Sequence, residues 1–242
     1  MTEKRRKKGK RNPSIVVIDV GGTHVKIYER DKIPVKFKSG KDLTPETLVK
    51  RTKEICREWR VDRISFGFPG RTAGGRIIAE PVNLGEGWKN FDFAAAFGLP
   101  VRVINDAAMQ ALGGYQGGRM LFVGLGTAVG STLITENVIV PIEFGEFRAR
   151  NGRPFSKLLG KEGLEELGLR KWRAVVLDLV SLARRSFFPD EIVLGGGLVE
   201  RLSTLPQGIR RGDNQHAYLG GCRLWESLHL QHRKQTDRWF IA

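Results

Sequence analysis

The chain has 242 residues, 40% of them hydrophobic, and its 41 Lys and Arg against 26 Asp and Glu give a formal charge of +15 at pH 7. That is ample material for one domain or two small lobes, and no apolar run reaches the roughly 18 residues of a membrane span. No apolar stretch of the secretory kind follows the basic start. The two cysteines, Cys56 and Cys222, lack CxxC spacing, which leaves no zinc motif and fits a reducing cytoplasm.

Residues 1–11 hold seven basic side chains and one acid, so the remainder still carries +9. Such a block, counted with residues 12 and 13 as a tail, reads as a solvated terminus or as an attractor for a polyanion, polyphosphate or nucleic acid. Strands are predicted over 15–20, 24–28 and 33–38. Within IVVIDVGGTHVKI the β-branched run Ile15 to Ile18 is a buried strand. It ends at Asp19, where a carboxylate can orient Mg²⁺ through its waters. Gly21 and Gly22 let phosphate oxygens approach backbone N–H groups, Thr23 adds a hydroxyl donor and Lys26 a further charge. The GG pair is equally an ordinary hairpin signal, so this turn alone leaves both readings open. Lys36, Lys38 and Lys41 then follow, as scattered surface lysines or as an extension of an anion track.

A helix opens at Thr44-Pro45, a good N-cap before a good first helical residue, and runs to about Trp59. Strand 62–68 leads into a glycine-rich loop, 70–90, and a helix over 91–97. Strand 101–107, VRVINDA, ends in Asn105 and Asp106 ahead of the helix-forming AAMQAL. Asp106 suits a general base that takes the proton of a hydroxyl attacking phosphorus. It also suits a helix N-cap, a place that either Asn105 or Asp106 can fill. From 120 to 134, MLFVGLGTAVGSTLI repeats strand, glycine turn and strand, with strands predicted over 120–125 and 129–135 and Gly126 and Thr127 at the turn. A strand over 137–142, helices near 161–167 and 171–187, and a strand at 191–194 come next. The last runs into Gly195, Gly196 and Gly197, a flat surface for a base or a phosphate chain. A final helix covers about 214–228; His229 and His232, an HxxH pair in a basic tail with no third ligand nearby, read as surface residues.

In this order the motifs resemble those of the ROK sugar kinases, within the actin, hexokinase and Hsp70 superfamily, from about Ile15 to Trp225. IDVGGTHVK resembles the first phosphate loop, INDA the catalytic strand, GLGTAVGS the second phosphate loop and LGGG the adenosine-side segment. AEPVNLGEGWKNFDFAAAFGLPVRV resembles the sugar-side loop, with Asn83 and Trp88, and GFPG ending at Gly70 the turn before it. The short length and the segment Leu164 to Gly197 resemble the polyphosphate glucokinases most.

The resemblance implies an α/β, two-lobed actin/hexokinase-like (ribonuclease H-like) fold with an interlobe cleft. One lobe would span 14–106, a second 107–213, and the 214–228 helix would pack back on the first. Asp106 would be the base toward a hexose, most simply glucose, held by Asn83, Asn105, Glu143 and Glu146. The donor, polyphosphate or ATP or both, would lie with Mg²⁺ on Asp19, Gly21, Gly22, Thr23, Lys26, Gly126, Thr127, Gly195 and Gly196. A cytoplasmic enzyme is expected, with a homodimer allowed, and with neither membrane nor nucleic acid as partner.

Two departures stand out. The sugar-binding signature E-x-G-H reads here Glu143, Phe144, Gly145, Glu146; an ionised carboxylate accepts from a sugar hydroxyl but cannot donate. Ala128 stands where the family usually has glycine, which costs strain if that residue needs a positive φ. The alternatives are an ATP-dependent kinase for another hexose and a non-catalytic sugar sensor. A repressor needs a DNA-binding helix pair ahead of the kinase unit, for which the residues before the first strand are too few.

Overall fold

The computed structural model describes residues 12–213, 215–226, 228–232 and 237–241; the basic block at 1–11 lies outside them. β1 (Ile15–Val20), β2 (His24–Tyr28) and β3 (Val35–Lys38) form an antiparallel meander. α1 (Pro45–Ile55) starts where the Thr44 hydroxyl accepts from the Thr47 N–H at 3.3 Å, and it leads to β4 (Arg63–Phe68), parallel to β1. A short hairpin, β5 (Thr72–Ala73) and β6 (Arg76–Ile77), and α2 (Phe93–Phe97) precede β7 (Val101–Asn105), which lies parallel to β4. This first sheet has the order β3-β2-β1-β4-β7.

After α3 (Asp106–Gly114) the plan repeats. β8 (Met120–Leu125), β9 (Val129–Thr135) and β10 (Val138–Pro141) form a second antiparallel meander. α4 (Phe155–Leu159) and α5 (Lys161–Phe187) lead to β11 (Glu191–Gly195), parallel to β8, and then β12 (Ile209–Arg211). Gly168, at φ 70° and ψ 159°, breaks α5 between the two helices expected from the sequence. α6 (His216–Glu226) follows. The HxxH segment read as a tail is a strand instead: β13 (Leu228–His232) and β14 (Asp237–Ile241) form a hairpin that joins the second sheet through β10. That sheet runs β12-β11-β8-β9-β10-β14-β13.

Alternation along the buried strands sorts the core into three. Val16, Ile18 and Val20 face an outer core with α1 and α2, whereas Ile15 and Val17 face a central core built on α3 and α6. On β8, Met120 and Phe122 turn to the same central core and Leu121, Val123 and Leu125 to a third core under α4 and α5. Two sheets thus sandwich α3 and α6, with further helices outside. Gly113 and Gly220 let those two helices touch backbone to backbone, since a Cβ on either would overlap the other's main chain. α6 is also fastened to the first sheet. The Ser65 hydroxyl donates to Gly221 O at 2.6 Å and accepts from Trp225 Nε1 at 2.8 Å, and Arg63 and Arg102 lie 5.0 and 4.5 Å from the centre of the Trp225 ring.

Candidate active site

Asp19 lies on the same side of β1 as Ile15 and Val17, one step from the strand end, and is only 5% exposed. Its Oδ2 faces Lys26 Nζ at 4.0 Å, the residue opposite it in the β1–β2 register, while Oδ1 is buried without a hydrogen-bond partner. Burial pushes its pKa up to about 6, and the Lys26 charge opposes that rise. An orphaned carboxylate oxygen in a buried site is a fitting ligand for a hard cation. Among the described residues no group of three or more His, Cys, Asp or Glu is placed to hold a metal. A cation at Asp19 would therefore keep most of its shell as water and phosphate oxygens, which is the habit of Mg²⁺.

Asp106 starts α3 in the same central layer. The capping choice that the sequence left open falls to Asn105: its Oδ1 accepts from the Ala108 N–H at 3.1 Å, and its amide donates to Gly70 O at 3.3 Å and to Phe68 O at 3.5 Å. Asn105 thus ties the GFPG turn to the helix and frees Asp106 from capping. The Asp106 carboxyl accepts from the Ala107 N–H at 2.9 Å. Its pKa rises to about 8, first through burial and next through the charge of Asp19, with Glu143 adding a smaller push. Three acids therefore share one electrostatic neighbourhood.

The two glycine turns meet. A Cβ on Gly22 would come within 3.2 Å of Thr127 Cβ, so a side chain there would crowd the second turn. Thr23 Oγ1 and Thr127 Oγ1 are 2.7 Å apart. The first turn is braced by Ser39, whose hydroxyl donates to Gly21 O at 2.7 Å and whose N–H donates to Thr23 O at 3.1 Å. The second is closed by the Gly126 N–H on Ala128 O at 3.2 Å. Ala128 is not among the residues with positive φ, so the alanine fits its turn without the strain considered from the sequence. Gly196 does need its conformation: at φ 82° it lies over Leu125, whose carbonyl a side chain would overlap. The third glycine run therefore abuts the second turn.

Glu143 precedes a short 3₁₀ turn, Phe144–Glu146. Ser131 positions it from β9, its hydroxyl donating to Ile142 O at 2.8 Å and accepting from the Phe144 N–H at 2.9 Å. Glu143 is exposed overall; a partial loss of water at its carboxyl and then the Glu146 charge push its pKa upward, while Arg71 opposes them. Glu146 is exposed and accepts from the Ser156 hydroxyl at 3.0 Å.

Asn83 is exposed on its loop, and no hydrogen bond among the described residues links it to Asp106 or Glu143. Trp88 from the same loop is a core ring, 0% exposed and 5.3 Å from Phe68 between ring centres. Glu80 anchors that loop by accepting from the N–H groups of Trp88 and Lys89 at 3.1 and 3.0 Å. Sequence reasoning missed Arg71, Ser39, Ser131 and Ser156. Only Ser131 had a signal, a polar residue between Val129 and Leu133 on one face of its strand.

No family model matches the sequence, and no curated protein matches it. Solved structures do. An inorganic polyphosphate/ATP-glucomannokinase from Arthrobacter sp. strain KM is 23% identical, with a TM-score of 0.74 over 87% of this chain and 97% of that one. A ROK family glucokinase from Streptomyces griseus, in complex with glucose and AMPPNP, is 18% identical, with a TM-score of 0.66 over 87% and 98%. A ROK family transcriptional regulator, homologous to the E. coli MLC protein, is 13% identical, with a TM-score of 0.64 over 86% of this chain and 76% of its own. No described helix is long and apolar enough to cross a membrane. Two sheets of one plan, meeting at paired glycine turns near the buried Asp19 and the half-buried Asp106, give this chain the two-lobed α/β fold of the ROK sugar kinases.

Proposed function

We propose that the protein is a sugar kinase, which moves the terminal phosphoryl group of polyphosphate or ATP to a hexose hydroxyl, most simply the 6-hydroxyl of glucose. The observation that carries this reading is Asp106, released from capping by Asn105 and half-buried in the electrostatic neighbourhood of Asp19, on the sheets that bring two threonine turns together.

In the proposed cycle the hexose is held by Glu143, whose carboxylate accepts from its hydroxyls, with Asn83, Asn105 and Glu146 completing the sugar side. The turn N–H groups, the Thr23 and Thr127 hydroxyls and Lys26 donate to the donor's terminal phosphates. Asp106 accepts the proton as the hydroxyl oxygen forms its bond to phosphorus, and the bridging P–O bond to the donor breaks, its electrons leaving with the shortened donor. Mg²⁺ held through water by Asp19 would offset the phosphate charge and favour the ionised form of Asp106. With ATP as donor, Gly195 and Gly196 would floor its nucleoside end.

A non-catalytic sugar-binding role is the second reading, favoured by the regulator that shares the fold and by Glu146 in place of a histidine. A coupled assay over several hexoses with ATP and with polyphosphate separates the two. Sugar phosphate formed with either donor is the expected result; sugar binding with no transfer from any donor would replace the kinase by the sensor.

A further inference from the structure

β2 and β3 set their basic residues opposite one another. The register pairs Lys26 with Lys36 and His24 with Lys38, and residues directly opposite in an antiparallel pair share a face. Val25, Ile27 and Phe37 turn to the outer core, with the Arg51 guanidinium 5.3 Å from the Phe37 ring centre. His24, Lys26, Lys36 and Lys38 therefore lie on the side that carries Asp19, itself opposite Lys26. Loss of water and then the charges of Lys36, Lys26 and Lys38 hold His24 below its ordinary pKa, so the four groups feel one positive field.

Like charges facing each other weaken a ladder. Lys26 has Asp19 to offset it, but Lys36 and Lys38 form no ion pair among the described residues. Both are exposed. The sheet edge thus carries uncompensated positive charge that starts beside the buried acid and runs outward.

We propose that this basic face of β2 and β3 is an anion subsite for the phosphates of a linear inorganic polyphosphate that lie beyond the terminal one. The assignment rests on the kinase reading. From β1 to β3 is two strand spacings, about 10 Å, so a donor meets Lys36 and Lys38 only if it continues as an anion past the glycine turns. A polyphosphate does so. ATP continues instead into an uncharged nucleoside, which offers these lysines nothing to bind.

The test is the double variant Lys36→Gln/Lys38→Gln in the full-length chain, with ATP and with short and long polyphosphate as donors, and with calorimetric titration of long polyphosphate alone. Wild type is expected to bind long chains more tightly than short ones, and to lose that advantage as salt rises. In the variant the KM and Kd for long polyphosphate should rise about tenfold or more from the lost attraction, while ATP kinetics change less than twofold. Its Tm without polyanion should be no lower than that of wild type, because a repulsive pair has gone. Equal polyphosphate binding by variant and wild type overturns the subsite, as does hexose phosphorylation by ATP with no binding of polyphosphate, which leaves the kinase reading intact. Tight binding that depends on Lys36 and Lys38, with no transfer from any donor, overturns the kinase reading and upholds the subsite.

Discussion

The hydroxyls of Thr23 and Thr127 stand 2.7 Å apart although 104 residues separate them in the chain. Each comes from a glycine turn at the end of a central strand, so the two sheets meet at a pair of donors. If these hydroxyls grip the donor, Thr127→Ala should raise the donor KM by about tenfold, the scale of one hydrogen bond to a charged group. The hexose KM should stay put. A hexose KM that rose with an unchanged donor KM would place the turns on the sugar side.

Asp106→Asn tests the base. The amide keeps the shape but cannot take a proton, so kcat should fall by at least about 10²-fold with hexose binding largely intact. Turnover near the wild-type rate would remove Asp106 from the chemistry.

The raised acids predict opposite pH trends for activity and stability. Folding lifts Asp106 from 3.8 to about 8 and Asp19 from 3.8 to about 6. Between those limits the folded chain holds more protons than the unfolded chain, so stability should fall as pH rises from about 4 to 8. Activity needs the ionised base, so kcat/KM should rise over the same range, with apparent pKa values that belong to the coupled pair. Thermal unfolding and rate profiles from pH 5 to 9 check both, and Asp106→Asn should flatten the stability profile.

Glu146 is the residue that leaves the E-x-G-H signature, and the Ser156 hydroxyl holds it at 3.0 Å. Glu146→His should change the relative kcat/KM between hexoses on the order of tenfold, because the side chain then donates as well as accepts. Ser156→Ala should move the same ranking in a smaller measure. An unchanged ranking in the histidine variant would mean that Glu146 serves the surface rather than the sugar.

Gly220→Ala tests the contact of α3 with α6. The added methyl would overlap the main chain of Met109, with no flexible side chain to yield. Such overpacking costs about 3 kcal/mol, which for a chain of this size lowers Tm by roughly 6 °C or more. A scanning calorimeter reads the outcome; an unchanged Tm would mean that the helices can separate freely.

Four strands, 15–20, 24–28, 120–125 and 129–135, have the bounds expected from the sequence. Their β-branched runs stop at glycine turns, so local chemistry marks both ends. β12, α4 and the hairpin of β13 and β14 were not foreseen, because each is short and gains its place from a neighbour rather than from its own pattern. The acids and threonines of the candidate site were visible as residues at strand ends. Which of Asn105 and Asp106 caps α3 was not, since either side chain can cap and only packing against the Phe68–Gly70 turn decides. Trp88 lies in the loop read as the sugar-side loop and its ring is in the core: a sequence shows that an aromatic ring is present, and the fold decides which way it turns.

The fastening of α6 to the first sheet bears on how the chain is made. Ser65 waits for Gly221 and Trp225, which lie 156 and 160 residues further on. At about 5 to 20 residues per second, a ribosome needs on the order of 10 s to cover that stretch. Throughout that interval the inner side of β1 and β4, with Val17 on it, lacks the helix that will cover it. The first half of the protein therefore emerges with a sticky, unfinished surface, and its final closure comes late. That surface stays open until α6 has been made, an exposure set by the order in which the segments appear.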